Sequence, residues 1–94
     1  MIKILAKRLV REDCVEEYLR TAGRLVAASQ AEPGCMSYTL NRCVENPRQF
    51  CFVEVWKDQA AIDAHNASEH FTSLVPQLGK FVEVAYPVEH YTEV

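Results

Sequence analysis

The chain has 94 residues, 49% of them hydrophobic, and a formal net charge of −3 at pH 7, which suits a single domain spanning residues 1–94. Lys7, Arg8 and Arg11 form the one basic cluster, which is too small to indicate a nucleic-acid partner. No apolar run reaches the roughly 20 residues of a membrane span, and the amino terminus lacks the apolar core of a secretory signal. We therefore expect a cytoplasmic protein that does not bind membranes.

The first predicted elements are a strand and a helix. Ile2–Val10 is rich in Ile, Leu and Val with interspersed cations, which is typical of a strand in an antiparallel sheet. Asp13 is expected to cap the helix, with Glu16 as its capping-box partner. The helix should end before Pro33-Gly34, a turn signal. Its apolar stripe consists of Val15, Tyr18, Leu19, Ala22, Leu25 and Val26.

Two further strands form a predicted hairpin over residues 35–43 and 50–57, joined by turn residues 45–48. Both faces of the second strand are largely apolar. One face carries Phe50, Phe52, Glu54 and Trp56, and the other carries Cys51, Val53 and Val55. Because a four-stranded sheet with helices on one side should have a polar opposite face, this pattern indicates that something else covers that side.

Two helices and a strand complete the chain. Asp58 is the predicted N-cap of a short helix, and Ser68 that of a second helix, which Pro76 should kink or end. A final strand is predicted over residues 81–91, where Pro87 restricts it to an edge, a bulge or a strand end. The order strand, helix, strand, strand, helix, strand predicts an α+β fold of the ferredoxin-like, split β-α-β type.

The four cysteines show neither a Cys-x-x-Cys pair nor zinc spacing, so we expect reduced, mostly buried thiols. They are Cys14, Cys35, Cys43 and Cys51. Cys43 and Cys51 can face each other across the hairpin, which leaves an occasional disulfide as the alternative.

Several segments, in order and spacing, resemble the antibiotic biosynthesis monooxygenase domain family over nearly the whole chain. These segments are Glu32-Pro33-Gly34-Cys35, Tyr38, Asn46-Pro47, Phe50, Glu54-Val55-Trp56-Lys57-Asp58, Ala64-His65 and Ser68-Glu69-His70-Phe71. The resemblance implies a homodimeric α+β barrel in which two ferredoxin-like sheets pack face to face. That agrees with the strand whose two faces are both apolar. It also agrees with the small size of the chain, because a lone protomer would bury only about 60 to 65% of its unfolded surface and would be marginally stable.

The resemblance implies several activities, which individual residues help to separate. The haem-degrading branch carries a Trp where His65 stands and an iron-binding His where Val75 stands, and Val cannot ligate iron, so we set it aside. The polyketide-oxidising branch carries an Asn at the position of Phe52, which puts a mechanism using that amide in doubt. An isomerase of a phosphorylated autoinducer sugar shares both histidines, His65 and His70.

The expected function is oxygenation of a small aromatic phenol or quinol by dioxygen without metal, flavin or other cofactor. A deprotonated, electron-rich ring can itself reduce dioxygen, so the protein needs a base and an apolar pocket. His65 is the first candidate base, because the unperturbed pKa of imidazole lies near 6.5, and His70 is the second. The alternative for His65 is an exposed helical histidine. On one helix the two would lie about 140° apart, so they converge only if Ser68 breaks it.

Aromatic residues are expected to hold the substrate ring near these histidines. Trp56, Tyr38 and Phe52 would form the walls, with Trp56 at the catalytic centre, or would serve as ordinary core. Glu54 either pairs with a partner such as Arg42 or lies near the pocket with a raised pKa. No metal site is expected, because two imidazoles without a carboxylate at ligand spacing bind metals poorly.

Two other functions stay open. An isomerase of a phosphorylated autoinducer-type sugar needs cations for the phosphate near the histidines, and Lys57 and Lys80 are the ones nearby. A non-catalytic small-ligand-binding module of a stress response would use the cavity only for binding.

Overall fold

The computed structural model describes all residues, 1–94. In chain order its elements are β1 (Ile2–Val10), α1 (Val15–Gln30), β2 (Cys35–Arg42), β3 (Gln49–Trp56), α2 (Gln59–Asn66), α3 (Glu69–Gly79), β4 (Val82–Ala85) and β5 (Glu89–Tyr91). The predicted α+β, ferredoxin-like fold is confirmed. None of the helices is long and apolar enough to cross a bilayer.

The sheet is antiparallel, with strand order β2-β3-β1-β4, and β5 pairs with the same central strand β1. Its register brings four residues from four strands into one row. Glu54 pairs with Tyr38 on one side and with Ile4 on the other, and Ile4 in turn pairs with His90. Polar side chains far apart in the sequence therefore meet on the sheet.

The core lies between the sheet and the helices. On β3 the predicted alternation is confirmed, because Phe50, Phe52, Glu54 and Trp56 are buried while the intervening residues are half-buried. On α1 the buried residues are Tyr18, Ala22, Leu25 and Ser29. Between α2 and α3 the chain breaks at Ser68, whose hydroxyl accepts from the amide of Phe71 at 3.3 Å, and Asp58 caps α2 by accepting from the amide of Ala61 at 2.9 Å. Both predicted caps are confirmed.

The structure differs from three local predictions, fully at Asp13 and in part at Pro76 and Pro87. Asp13 lies inside a 3₁₀ turn, Glu12–Cys14, and makes no capping bond, because this extra turn moves the start of α1 to Val15. Pro76 does not end α3, which continues to Gly79. It removes a single donor, whereas buried leucines on both sides of it pack the helix onto the core. The last strand is two strands, β4 and β5, because Pro87 interrupts the pairing with β1.

All four cysteines are free and half-buried. The hairpin does not pair Cys43 with Cys51, since Cys51 lies opposite Asn41. The structure therefore agrees with reduced thiols and does not contain the alternative disulfide. The thiols are less buried than expected.

Candidate active site

Two histidines and a tryptophan converge where β3 ends and α2 meets α3. The ring of His65 lies 4.4 Å from that of Trp56 and 5.9 Å from that of His70, measured between centroids. The break at Ser68 places the two histidines on different helices, and the Ser68 hydroxyl donates to the carbonyl of His65 at 2.6 Å. His65 is only 2% exposed, so its interpretation as an exposed helical residue is wrong.

Glu32 joins the two histidines through a single carboxylate oxygen. Its Oε2 lies 2.6 Å from Nδ1 of His65 and 2.8 Å from Nε2 of His70. Because a carboxylate only accepts, both ring nitrogens donate to it. The neutral His65 ring then carries its proton on Nδ1, and Nε2 is the nitrogen free to take a proton.

The position of Glu32 depends on a close approach between two segments. Glu32 lies in the turn after α1, and Gly34 follows it. A Cβ at Gly34 would lie 2.4 Å from the Cβ of Ala61 on α2, and the Gly34 carbonyl accepts from the amide of Lys57 at 2.9 Å. Glycine at this position therefore allows the turn to lie directly against the helix that carries His65.

Burial controls the charge of His65. Removal from water disfavours the imidazolium and lowers the pKa of His65, while the hydrogen bond and the negative charge of Glu32 act in the opposite direction and the charge of His70 adds to the lowering. The ring is therefore neutral at pH 7 and can act as a base.

Glu54 is buried beside this group, at 6% exposure. Its Oε1 accepts a hydrogen bond from Nε1 of Trp56 at 2.9 Å. Burial raises the pKa of Glu54, and the bond from Trp56 offsets this only in part. Glu54 therefore combines the two alternatives, since it has a bonded partner and a raised pKa, but the suggested partner Arg42 is wrong. That guanidinium lies over the ring of Phe50, 5.0 Å from its centroid.

A cavity of about 670 Å³ lies between the sheet and the helices, and most of its lining is hydrophobic. Four of the predicted site residues line it, namely His65, Tyr38, Phe52 and Glu54. Two do not. Trp56 is completely buried behind His65, and His70 lies on the other side of Glu32, with a side chain that is 22% exposed.

Tyr38 offers a hydroxyl within this cavity. Its ring is 5.5 Å from that of His65 and 5.8 Å from that of Phe52, between centroids. Burial raises the pKa of Tyr38 far above its ordinary value, with a smaller contribution from the charge of Glu54. The hydroxyl therefore stays protonated and can donate a hydrogen bond to a ligand.

Sequence reasoning missed four polar residues of this site. Glu32 was noticed in a motif but given no role, and Arg8, Tyr18 and His90 line the cavity. Arg8 was detectable, because it continues the alternation of Ile4 and Ala6 on the buried face of β1. Glu32 was not, because it meets histidines 33 and 38 residues away.

Glu32, His65 and His70 form a set of side chains that can hold a divalent metal. One ligand atom each from Glu32, His65 and His70 lies within 4.8 Å of the others. Two imidazoles and a carboxylate form a common zinc or iron donor set. The prediction that no carboxylate stands at ligand spacing is therefore wrong. The 2.6 and 2.8 Å separations are those of charge-assisted hydrogen bonds, so a metal would have to displace both protons.

The fold and this site together define a ferredoxin-like α+β domain with a histidine at the wall of a partly open, largely apolar cavity. The sequence model of the family described as antibiotic biosynthesis monooxygenase matches residues 1–77. The chain belongs to the antibiotic biosynthesis monooxygenase family.

Individual relatives agree with this assignment. The chain is 39% identical over 75 residues to a protein named "Putative monooxygenase YcnE" from Bacillus subtilis, covering 80% of this chain and 79% of that one. It is 33% identical over 66 residues to the uncharacterized protein sll1783 from Synechocystis. That match covers 70% of this chain but 45% of the relative, so the chain spans less than half of that protein.

Solved structures share the fold over nearly their whole length. A crystal structure described as an antibiotic biosynthesis monooxygenase has a TM-score of 0.95 and 33% identity, covering 100% of this chain and 99% of that one. A conserved protein from Methanosarcina mazei Go1 has a TM-score of 0.96 and 28% identity, with coverages of 99% and 92%. Family and relatives together support a monooxygenase-like role.

Proposed function

We propose that this protein is a cofactor-independent monooxygenase that oxidises a small aromatic phenol or quinol with dioxygen. The observation that carries the proposal is His65, a buried neutral imidazole at the wall of the cavity, with Nδ1 bonded to Glu32 at 2.6 Å and Nε2 free. A base held in this tautomer is suited to deprotonate a hydroxyl group.

The base starts the reaction by converting the phenol into an electron-rich anion. Nε2 of His65 takes the hydroxyl proton, and the anion passes electrons to dioxygen. For a hydroquinone the balance is one quinol plus one O₂ giving one hydroxyquinone plus one water. One oxygen atom enters the ring, the other leaves as water, and the ring is the reductant throughout. A positioned general base contributes roughly 10² to 10⁴ in rate.

The remaining site residues bind the substrate or position the base. Phe52 and Tyr38 are the cavity walls for the ring, and the Tyr38 hydroxyl donates to a substrate oxygen. Glu54, whose pKa is raised, lies beside them as a further polar contact. Trp56 packs on His65 from behind, and its bond to Glu54 holds both side chains. We therefore assign Trp56 a positioning role rather than contact with substrate.

Oxygen uptake with 1,4-naphthohydroquinone and anthrone, corrected for uncatalysed oxidation, tests the proposal. In buffer containing a chelator, the protein should add one labelled atom from ¹⁸O₂ to the product. His65→Gln should lower kcat about 10² to 10⁴-fold. Asp63→Asn, which changes an exposed side chain on the same helix away from the cavity lining, should not. Formation of unlabelled quinone together with hydrogen peroxide would indicate an oxidase instead. Activity that returns only when metal is added would indicate that Glu32, His65 and His70 hold a catalytic metal.

The two lysines expected to bind the phosphate of an isomerase substrate lie away from the cavity. Lys57 and Lys80 are both exposed, and neither lines the cavity. Proton exchange into a phosphorylated ketone, followed by NMR, would establish that activity, and tight aromatic binding without turnover would support the non-catalytic module.

We also propose that the protein works as a homodimer joined through the open face of the sheet. Leu5, Val53 and Val55 point away from the helices and are half-buried, while Val84 and Tyr91 are 39% and 49% exposed. Leu5 and Val53 are paired in the register, and Val55 follows on the same face, so they form an apolar patch among polar side chains. A patch of this kind is typical of a surface that another layer covers.

A further inference from the structure

The cavity has a second polar end, which the proposed chemistry does not use. Arg8 lies four residues along β1 from Ile4, the partner of Glu54. At about 3.4 Å per residue, the two rows are roughly 14 Å apart. His65 lies at the other end, against Trp56. The cavity therefore has a histidine end and an arginine end.

The guanidinium of Arg8 is held by the backbone on one side only. Its Nη1 donates to the carbonyl of Lys7 at 2.7 Å and to that of Tyr86 at 3.2 Å. Nε and Nη2 make no hydrogen bond, and Arg8 lines the cavity. The Nε and Nη2 hydrogens form one of the parallel pairs that match the two oxygens of a carboxylate. The free donors are thus arranged for a planar anion.

No acidic residue of the protein forms an ion pair with this cation, although its positive charge opposes the upward shift in the pKa of Glu54. The acidic residues that line the cavity have other partners, because Glu54 accepts from Trp56 and Glu83 accepts from Nη2 of Arg48 at 3.1 Å. None of the ion pairs includes Arg8. A charge facing a mostly apolar cavity is costly unless it is paired. A negatively charged ligand group would provide the missing partner.

Tyr18 adds a neutral donor at the same end. It is 1% exposed, and it lines the cavity. Burial raises the pKa of Tyr18 to about 12, and the positive charge of Arg8 opposes this shift, which is the effect of a nearby cation. The ring of Tyr18 lies 5.4 Å from that of Phe50, between centroids, and Phe50 pairs with Arg8 in the sheet, so Tyr18 lies at the arginine end of the cavity with its hydroxyl protonated.

We propose that the aromatic ligand of this cavity carries a carboxylate group, bound by Nε and Nη2 of Arg8 and by the Tyr18 hydroxyl, with its phenolic hydroxyl at His65. This inference rests on the proposed aromatic substrate. A single unpaired cation balances the one negative charge of a carboxylate, whereas a phosphate ester brings about −1.5 to −2 charges at pH 7. The natural substrate class is therefore a hydroxyaryl carboxylic acid.

Binding of three matched naphthalenes tests this assignment, with titration followed by calorimetry. The probes are 2-naphthol, 6-hydroxy-2-naphthoate and 6-hydroxy-2-naphthyl phosphate. The unmodified protein should bind the naphthoate about tenfold or more tightly than the naphthol, as expected for a hydrogen bond to a charged group. Added salt should weaken naphthoate binding more than naphthol binding.

Substitution of the arginine completes the test. Arg8→Gln should abolish the preference for the naphthoate and leave the affinity for 2-naphthol within about threefold. Arg20→Gln, the same change on the exposed face of α1, should leave both affinities unchanged. If circular dichroism shows that Arg8→Gln is unfolded, Arg8→Lys decides, because it retains the charge without the paired donors and should retain a reduced preference.

The possible failures are distinguishable. Equal affinity for naphthol and naphthoate in the unmodified protein would overturn the arginine subsite and leave the aromatic cavity in place. Binding of neither would overturn the proposed function, and this inference with it. Tighter binding of the naphthyl phosphate than of the naphthoate would overturn the choice of carboxylate in favour of a phosphate ester.

Discussion

At the scale of single residues, one carboxylate oxygen determines the state of the candidate base. Oε2 of Glu32 accepts from both His65 and His70, so it sets the tautomer of His65 and the orientation of its ring. The same carboxylate opposes the effect of burial on the pKa of His65. Glu32 is therefore a positioning residue that also controls the charge of the base.

Replacing this carboxylate by an amide should change both rate and pH dependence. Glu32→Gln removes the negative charge that favours the imidazolium, so the pKa of His65 should fall further below its ordinary value. Because the neutral ring is the active form, the acid limb of kcat/KM should move to lower pH. On the plateau, activity should fall about 10 to 100-fold, as when a partner that orients a histidine is lost.

Glu69→Gln is the control, since it makes the same change at an exposed position on the neighbouring helix. This variant should change neither the plateau activity nor the pH of the acid limb of kcat/KM. A purely structural role for Glu32 would lower activity without moving the limb, and a limb displaced to higher pH would contradict the assigned sign.

At the scale of elements, the site depends on the distance between α2 and the turn that precedes β2. Asp58 caps α2 and Ser68 caps α3, so both helices begin at positions that the sequence determines locally. Where α2 lies relative to Glu32 is determined by the contact between Gly34 and Ala61. A small change in this contact moves the base away from its partner.

Gly34→Ala should therefore damage the site through the backbone. The new methyl group would overlap the Cβ of Ala61, and overpacking of this kind costs about 1 to 3 kcal/mol. Activity should fall as well, because the turn must move away from α2 and lengthen the bond between Glu32 and His65. Thermal unfolding and oxygen uptake measure the two effects.

Gly23→Ala is the matched control within α1. A Cβ at Gly23 meets nothing within 4 Å, and alanine in a helix interior is about 0.5 to 1 kcal/mol more favourable than glycine. This variant should be more stable with unchanged activity. Equal behaviour of the two alanine variants would show that the turn tolerates displacement.

At the scale of the whole molecule, the sheet separates two different surfaces. One face bears the helices and the cavity, and the other presents half-buried aliphatic side chains without a covering layer. A chain of this size buries only about 60 to 65% of its unfolded surface, so covering that face contributes much to stability. The proposed dimer thus supports the fold that holds the site.

Val53→Glu tests this arrangement by placing a charge at the centre of the open face. Sedimentation equilibrium should show a dimer for the unmodified protein and a monomer for the variant, with a lower Tm, because an unpaired carboxylate is costly in an apolar interface. Ala27→Glu, at an exposed position on α1, should remain dimeric. A stable monomer for the unmodified chain would contradict the proposed assembly.

The alternation and capping signals of the sequence predicted most of the fold. The period-two pattern of β3 identified which side chains are buried, and Asp58 and Ser68 marked the starts of both short helices. The errors occurred at Asp13, Pro76 and Pro87, where local preference competes with packing. Buried leucines carry α3 past Pro76, and an extra turn before α1 displaces Asp13.

Short-range periodicity and capping were enough to predict the order of the elements, the faces that they bury and the cap at Ser68, the break that allows His65 to meet His70. Only the tertiary structure decided that Glu32 serves both histidines, that Trp56 lies behind the base and that Arg8 faces the cavity without an acidic partner. These contacts join residues on different elements. Their distances depend on how the elements pack against each other, which cannot be read from the spacing of residues along the chain.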